Sequence, residues 1–97
     1  MELIVRPDAE RDLAEAADWY LKREYYLKNK FISRIDSLLE RIIRNPRQFP
    51  YAKEKLRRAS VRDFPYSVYY RAEENKVIVF AILHHIRDLS ALDERLN

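Results

Sequence analysis

The spacing of apolar and polar positions changes several times along this chain, and each change marks an element. In Glu2–Arg6, Leu3 and Val5 share one side and Ile4 takes the other, the period of a short strand. Pro7 ends it. Pro7 or Asp8 then opens a helix, with Asp8, Glu10 and Asp12 near its positive end. The helix runs to about Arg23. Ala9, Leu13, Ala16 or Ala17, and Tyr20 follow the helical period, and Trp19 and Leu21 widen the stripe. Glu24-Tyr25-Tyr26 predicts a break. A second helix over about Leu27–Arg44 carries the strongest periodic signal: Phe31, Ile35, Leu38 and Ile42 form one line, and Ile32, Leu39 and Ile43 lie beside it. Its opposite face holds Lys28, Lys30, Arg34, Glu40, Arg41 and Arg44. Asn45-Pro46 closes it, because a proline disfavours helix in the residue before it.

Past the helices the period drops to two. Asn45–Glu54 reads as a loop whose aromatics, Phe49 and Tyr51, pin it to the body. Leu56–Phe64 reads as a strand with Ala59 and Val61 facing the core and Arg58, Ser60 and Arg62 on the other face. Asp63-Phe64-Pro65 makes the turn or edge. Tyr66, Val68 and Tyr70 then alternate with Ser67, Tyr69 and Arg71. Glu73-Glu74-Asn75-Lys76 is a hairpin turn in which Asn75 is the residue best able to take a left-handed conformation. Val77–Leu83 is apolar on both faces, as in a central strand. Leu89, Leu92 and Leu96 sit at helical spacing, so the chain ends in a short helix or a tail.

Strand, helix, helix, then three strands in two hairpins make an α+β fold: an N-terminal strand and an antiparallel helical hairpin packed on one face of a mainly antiparallel sheet. The expected extent is one domain over residues 1–97. The second sheet face would carry Arg58, Arg62, Tyr69 and Arg71, with no chain left to cover it. An open, polar and aromatic face of that kind invites a partner.

Composition narrows the functions. The 97 residues include no glycine, so a glycine-rich phosphate loop is excluded, and no cysteine, so disulfides and thiolate metal sites are excluded. No metal or cofactor is expected. No apolar run approaches the ~20 residues of a membrane span, and the N-terminus lacks signal-peptide character, so a cytoplasmic location is expected and no membrane partner. A net charge of +3 is too mild to argue nucleic-acid binding by itself. Its distribution matters more. Lys53, Lys55, Arg57, Arg58 and Arg62 fall close together, interrupted only by Glu54. The run reads either as a solvated strand edge or as a patch for phosphates or an acidic protein.

Candidate chemistry sits at the end of the last strand. His84 and His85 are adjacent, so their side chains point to opposite faces and make poor co-ligands for one metal. Either one is half-buried and satisfied while the other is exposed, or one acts as a general acid or base. In the second case Arg62 and Arg87 would stabilise a phosphorane-like transition state, and the reaction would be metal-free RNA cleavage. Ser33, Ser37, Ser60, Ser67 and Ser90 sit in no nucleophile motif.

The run Phe64-Pro65-Tyr66-Ser67-Val68-Tyr69-Tyr70-Arg71, the strand Val77–His84 and the ending Arg87-Asp88, preceded by a helical hairpin, resemble the RelE/ParE superfamily of type II toxin–antitoxin modules. The resemblance implies a small toxin neutralised by a cognate antitoxin in a hetero-oligomer. It also implies one of two activities: ribosome-dependent mRNA cleavage in RelE-like members, or inhibition of DNA gyrase in ParE-like members. Arg58, Arg62, Arg71 and Arg87 could imitate part of a RelE-like basic cluster. However, no tyrosine follows Tyr70, and the chain continues for twelve residues past His85. The ParE-like reading is favoured. Arg57, Arg58, Arg62, Tyr69, Arg71 and Arg87 are the expected partner-binding set. A non-toxic protein-binding module is the reading from another class.

Overall fold

The computed structural model describes residues 1–96; Asn97, the last residue of the expected domain, lies outside them. The elements run β1 (Glu2–Val5), α1 (Pro7–Arg23), α2 (Tyr25–Arg44), β2 (Tyr51–Lys53), β3 (Leu56–Ser60), β4 (Tyr66–Ala72), β5 (Lys76–His84) and α3 (Ala91–Leu96). The sheet order is β1-β5-β4-β3-β2, with β1 parallel to β5 and every other pair antiparallel. This is the expected α+β architecture with one further strand. β2 falls where the sequence suggested only loop, and it is an irregular pair with β3.

Local chemistry explains the helical hairpin. Arg6 gives α1 no side-chain cap, but Pro7 sits at its first position with φ already helical, and Asp8 and Glu10 face its positive end. The break expected over three residues is Glu24 alone, in extended conformation at φ −150°. Its N–H still donates to Tyr20 O (3.0 Å), and its own carbonyl accepts from Leu27 N–H (2.9 Å). One extended residue is therefore enough to reverse the chain.

The predicted lines of both helices meet the sheet. Ala9, Ala16, Ala17 and Tyr20 of α1 and Phe31, Ile35, Leu38 and Ile42 of α2 are buried against Ala59, Val61, Val68, Tyr70, Val77, Val79 and Ile82. An aromatic node ties the layers together. The Phe31 ring centroid lies 5.1 Å from Phe64 and 5.2 Å from Tyr66, and Tyr20 lies 4.9 Å from Phe64. Edge-on rings at these distances add to the burial term itself. Trp19 and Leu21, expected to widen the stripe, instead remain largely exposed.

Two expectations about the sheet are overturned. First, its second face is covered. Leu56, Tyr69, Ile78, Phe80, Ala81 and Leu83 form a second core with Leu92, and Leu89 and Leu96 pack at its margin. The chain turns back after His84 and lays α3 across this face, so the three leucines at helical spacing find an apolar surface. Tyr69 is 2% exposed and cannot present its ring to a partner while α3 is in place. Second, β3 stops at Ser60 rather than Phe64. Val61 N–H donates to Tyr66 O (2.9 Å), and Asp63 takes φ 69°, so the chain turns before Arg62 can join the strand. The left-handed positions are Glu54 and Asp63, not Asn75.

A β-bulge sets which side chains of β5 face which layer. Tyr69 pairs with Ala81 and Tyr70 with Val79, leaving Phe80 as the extra residue. Phe80 and Ala81 therefore both enter the second core, and Ile82 returns to the helical side. β1 ends at Val5, and Arg6 N–H makes the last backbone bond on that edge, to Val79 O (3.0 Å). Beyond it, side chains take over. Asp12 Oδ2 accepts the Ile82 N–H at 2.9 Å, and Arg95 Nη1 donates to Phe80 O at 3.2 Å.

Candidate partner-binding surface and the expected site residues

The bulge and the turn after β5 decide where the histidines go. His84 lies on the helical side, its ring 5.1 Å from Tyr66, and it is half-buried. Its Nδ1 accepts the Ile86 N–H at 3.2 Å, which places the proton of the neutral ring on Nε2. His85 is exposed on the other side, where Nε2 and the buried Ser67 Oγ share a hydrogen bond of 2.9 Å. The opposite orientation read from the sequence is therefore present. It leaves the two rings serving different surfaces.

The arginines divide as well. Arg87 is exposed and shares a groove of about 230 Å³ with His84, Asp12, Glu15, Trp19 and Tyr66. Arg62 lines a different groove, between β3 and α2, with Arg34, Arg41, Ser37 and Ser60. Arg58 is exposed opposite Tyr69 on the second sheet face. The lining of the His84–Arg87 groove includes none of Arg58, Arg62 and Arg71. Thus His84 and Arg87 are brought together, and Arg62 is not brought to them.

Arg57 and Arg71 reach the end of the sheet from opposite faces, Arg57 beside Tyr70 on the helical side and Arg71 over Phe80 of the second core. They line one cleft with Tyr51, Lys55, Ala72 and Glu73. Arg57 is held there by its own surroundings: Nη1 donates to Phe49 O (2.7 Å) and Arg47 O (3.3 Å), and Nη2 donates to Tyr51 Oη (2.9 Å). Its guanidinium lies 4.0 Å from the centre of the Tyr51 ring. Phe49 pins the loop as expected, against Tyr70, whereas Tyr51 is 61% exposed and serves as this arginine's support. Arg71 pairs with Glu73 at 3.0 Å and rests on Phe80. The basic run is thus partly committed internally, and Lys53 pairs with Asp93 of α3 at 2.6 Å.

Sequence reasoning missed two features of this surface. Lys55 belonged to the basic run but was not singled out, because nothing in the sequence fixes the β3–β4 register that sets it on one cleft with Arg71. The helical hairpin tip also presents Trp19, Tyr25 and Tyr26 to solvent. Tyr25 and Tyr26 lie outside both apolar stripes, and that was the available signal. Among the described residues, no helix is long and apolar enough to cross a membrane.

Comparison with known proteins now bears on this arrangement. The family described as "ParE toxin of type II toxin-antitoxin system, parDE" matches residues 3–89. The chain belongs to the ParE toxin family. It is a type II toxin of the ParE-like kind within the RelE/ParE superfamily. No curated protein matches it by sequence. Among solved structures, one titled "Chromosomal ParDE TA system from P. aeruginosa" superposes with a TM-score of 0.76 at 18% identity, covering 87% of this chain and 95% of that one. That likeness shows a shared fold. ParE family membership implies an antitoxin partner. The matched residues end at Leu89, so α3 lies past them.

Proposed function

We propose that this ParE-family toxin arrests growth by inhibiting DNA gyrase and is held inactive in a complex with its cognate antitoxin. The observation that carries the target is the scatter of the groups an RNA-cleaving site would need. General acid–base catalysis requires the proton-transferring group and the charge-stabilising groups to converge on one reacting phosphate. Here His84 and Arg87 share one groove, Arg62 lines another, and His85 is bonded to Ser67 on the opposite face. Such a distribution suits a protein that acts by binding. The exposed Arg58, Arg62 and Arg87 and the half-buried Arg57 and Arg71 supply charge for recognising an antitoxin, and Tyr69 contributes packing beneath them.

Induction of this chain alone in bacterial cells tests the reading. Growth arrest with filamentation and a DNA-damage response is the expected outcome. Rapid loss of translation with codon-positioned mRNA cuts would replace it with the ribosome-dependent nuclease. Undisturbed growth would point to a non-toxic binding module.

A further inference from the structure

We infer that the side of α2 facing the end of β3 is a track for the phosphate backbone of duplex DNA. The choice of duplex DNA rests on the gyrase reading above, since a toxin bound to gyrase works beside the duplex that enzyme holds. Lys30, Arg34, Ser37, Arg41 and Arg44 recur along α2 at steps of four, three, four and three residues, so they fall in one row on the helix. At ~1.5 Å per residue the row is about 21 Å long. One strand of a duplex presents a charge every ~3.4 Å of its axis, so a row of this length spans several phosphates. The acids of α2, Asp36 and Glu40, lie beside the row rather than in it. Across from the row, Ser60 and Arg62 close a groove of about 180 Å³ with Arg34, Ser37 and Arg41. Guanidinium groups and hydroxyls thus line one groove, and these are donors that phosphate oxygens take.

Much of this charge is open. Arg41, Arg44 and Arg62 are exposed and have no ion-pair partner among the described residues. Lys30 and Arg34 share a single anion, Asp63, whose Oδ2 lies 3.8 Å from Lys30 Nζ and 2.9 Å from Arg34 Nη2. That carboxylate shows where an anion sits on the row. Two features favour a duplex backbone over other polyanions. The row holds no apolar side chain, so an acidic amphipathic segment finds no partner there for its apolar face. Between Lys30 and Arg44 it holds no aromatic side chain either, so the unpaired bases of a single strand find no platform to stack on.

The test titrates the full chain into a fluorescent duplex of mixed sequence over a fourfold range of salt, with a polyglutamate peptide as second probe. Three open cations predict that affinity falls about 40-fold over that range, and about 12-fold in Arg41→Gln, which removes one of them. Arg11→Gln, on α1 outside the row, should keep the parent's affinity and salt dependence. Asp63→Asn, which unmasks Lys30 and Arg34, should bind more tightly with a steeper salt dependence. Equal losses in Arg41→Gln and Arg11→Gln would overturn the track in favour of general charge attraction. No gain in Asp63→Asn would overturn the α2 row as the site. Tighter binding of the peptide with the same Arg41 dependence would replace DNA with an acidic protein. Inhibition of gyrase supercoiling by the parent is scored separately. Inhibition with no Arg41 effect on duplex binding rejects the track and leaves gyrase standing as the target. Duplex binding that follows Arg41 and Asp63 without inhibition keeps the track and rejects the gyrase reading.

Discussion

Asp12 and Arg95 lie 83 positions apart in sequence and meet in a two-pronged ion pair, with Arg95 Nη2 3.0 Å from Asp12 Oδ1 and Nη1 bonded to Oδ2. The pair joins α1 to α3 at the bulge of β5, where it satisfies Ile82 N–H and Phe80 O. Arg6 completes the link by donating to the Arg95 carbonyl at 2.7 Å. The hydrogen bond to Asp12 holds the Arg95 guanidinium further above its ordinary value.

Cutting this link should loosen the second core. Breaking one side of a buried pair leaves the other charge stranded, which costs several kcal/mol in a dry interior. Here 16% of the Arg95 side chain and 8% of that of Asp12 are exposed, so about 2 to 3 kcal/mol is expected for Arg95→Met. Urea denaturation measures it. The double variant Asp12→Leu, Arg95→Met should be more stable than the sum of the two single losses, because neither charge is then left unpaired. Strict additivity would show that the pair is a bystander.

That pair also marks where sequence reading stops. The lines Phe31-Ile35-Leu38-Ile42 and Ala9-Ala16-Tyr20 were legible because helical periodicity is a local property. So was the split of His84 and His85, which follows from neighbouring positions near a strand end. Tyr69 was misplaced for a long-range reason: its cover, Leu92, arrives only after the chain reverses at His85–Ser90. The Phe80 bulge was equally hidden, since Val77–Leu83 is apolar throughout and an extra residue leaves no mark on such a run. Arg62 misled because its alternation continues past Ser60, where β3 ends and the chain leaves the sheet for the turn at Asp63. Which arginines share a cleft is a question of register between strands, and no local pattern carries it.

Asp63 should govern an acid-dependent part of stability. Arg34 Nε donates to its Oδ2 at 3.0 Å, Arg34 Nη2 lies 2.9 Å from the same atom, and Lys30 lies 3.8 Å away. The hydrogen bond from Arg34 holds this carboxyl below its ordinary value. A depressed folded value means the contribution is present above the usual carboxylate range and is lost as pH falls through the folded value. Asp63→Asn keeps a residue tolerant of φ 69° but removes the charge. Its deficit in urea midpoint should be small, shrink with salt, and vanish in acid. Asp63→Ala strains the turn as well and should stay less stable at every pH.

Tyr70 provides the alkaline counterpart. Burial pushes its phenol up to about 12, and its hydroxyl donates to Pro46 O at 2.6 Å. The unfolded value is about 10. A raised folded value for an acid means the stabilisation is complete below about pH 10 and is lost as pH rises through about 12. Tyr70→Phe leaves the Pro46 carbonyl without this donor and should cost about 1 kcal/mol at neutral pH. The two proteins should converge in stability as pH rises. Burial also raises Tyr20 and Tyr66, so the readout is the difference between the phenolate absorbance titrations of parent and variant. Loss of a component other than the highest-pH one would contradict the assignment.

The histidines separate binding from catalysis as the basis of toxicity. His85 holds the hydroxyl of Ser67, which is itself 0% exposed. His85→Ala should therefore cost about 1 kcal/mol or more through the buried hydroxyl left without this partner. The second change Ser67→Ala should restore much of the loss, because it removes the orphaned group. His84→Ala gives up the Tyr66 contact and the acceptor for Ile86 N–H, both at a half-buried site, and should cost a similar amount. If the toxin acts by binding, both variants arrest growth as the parent does once compared at equal levels of folded protein. A proton-transferring residue behaves otherwise: its removal typically slows chemistry by a factor of about 100 or more while leaving stability free to recover. The deciding measurement is growth arrest by His85→Ala beside the Ser67→Ala, His85→Ala double variant. Arrest that persists in both places the histidine in the fold. Arrest lost in both, despite restored stability in the double variant, places it in a reaction.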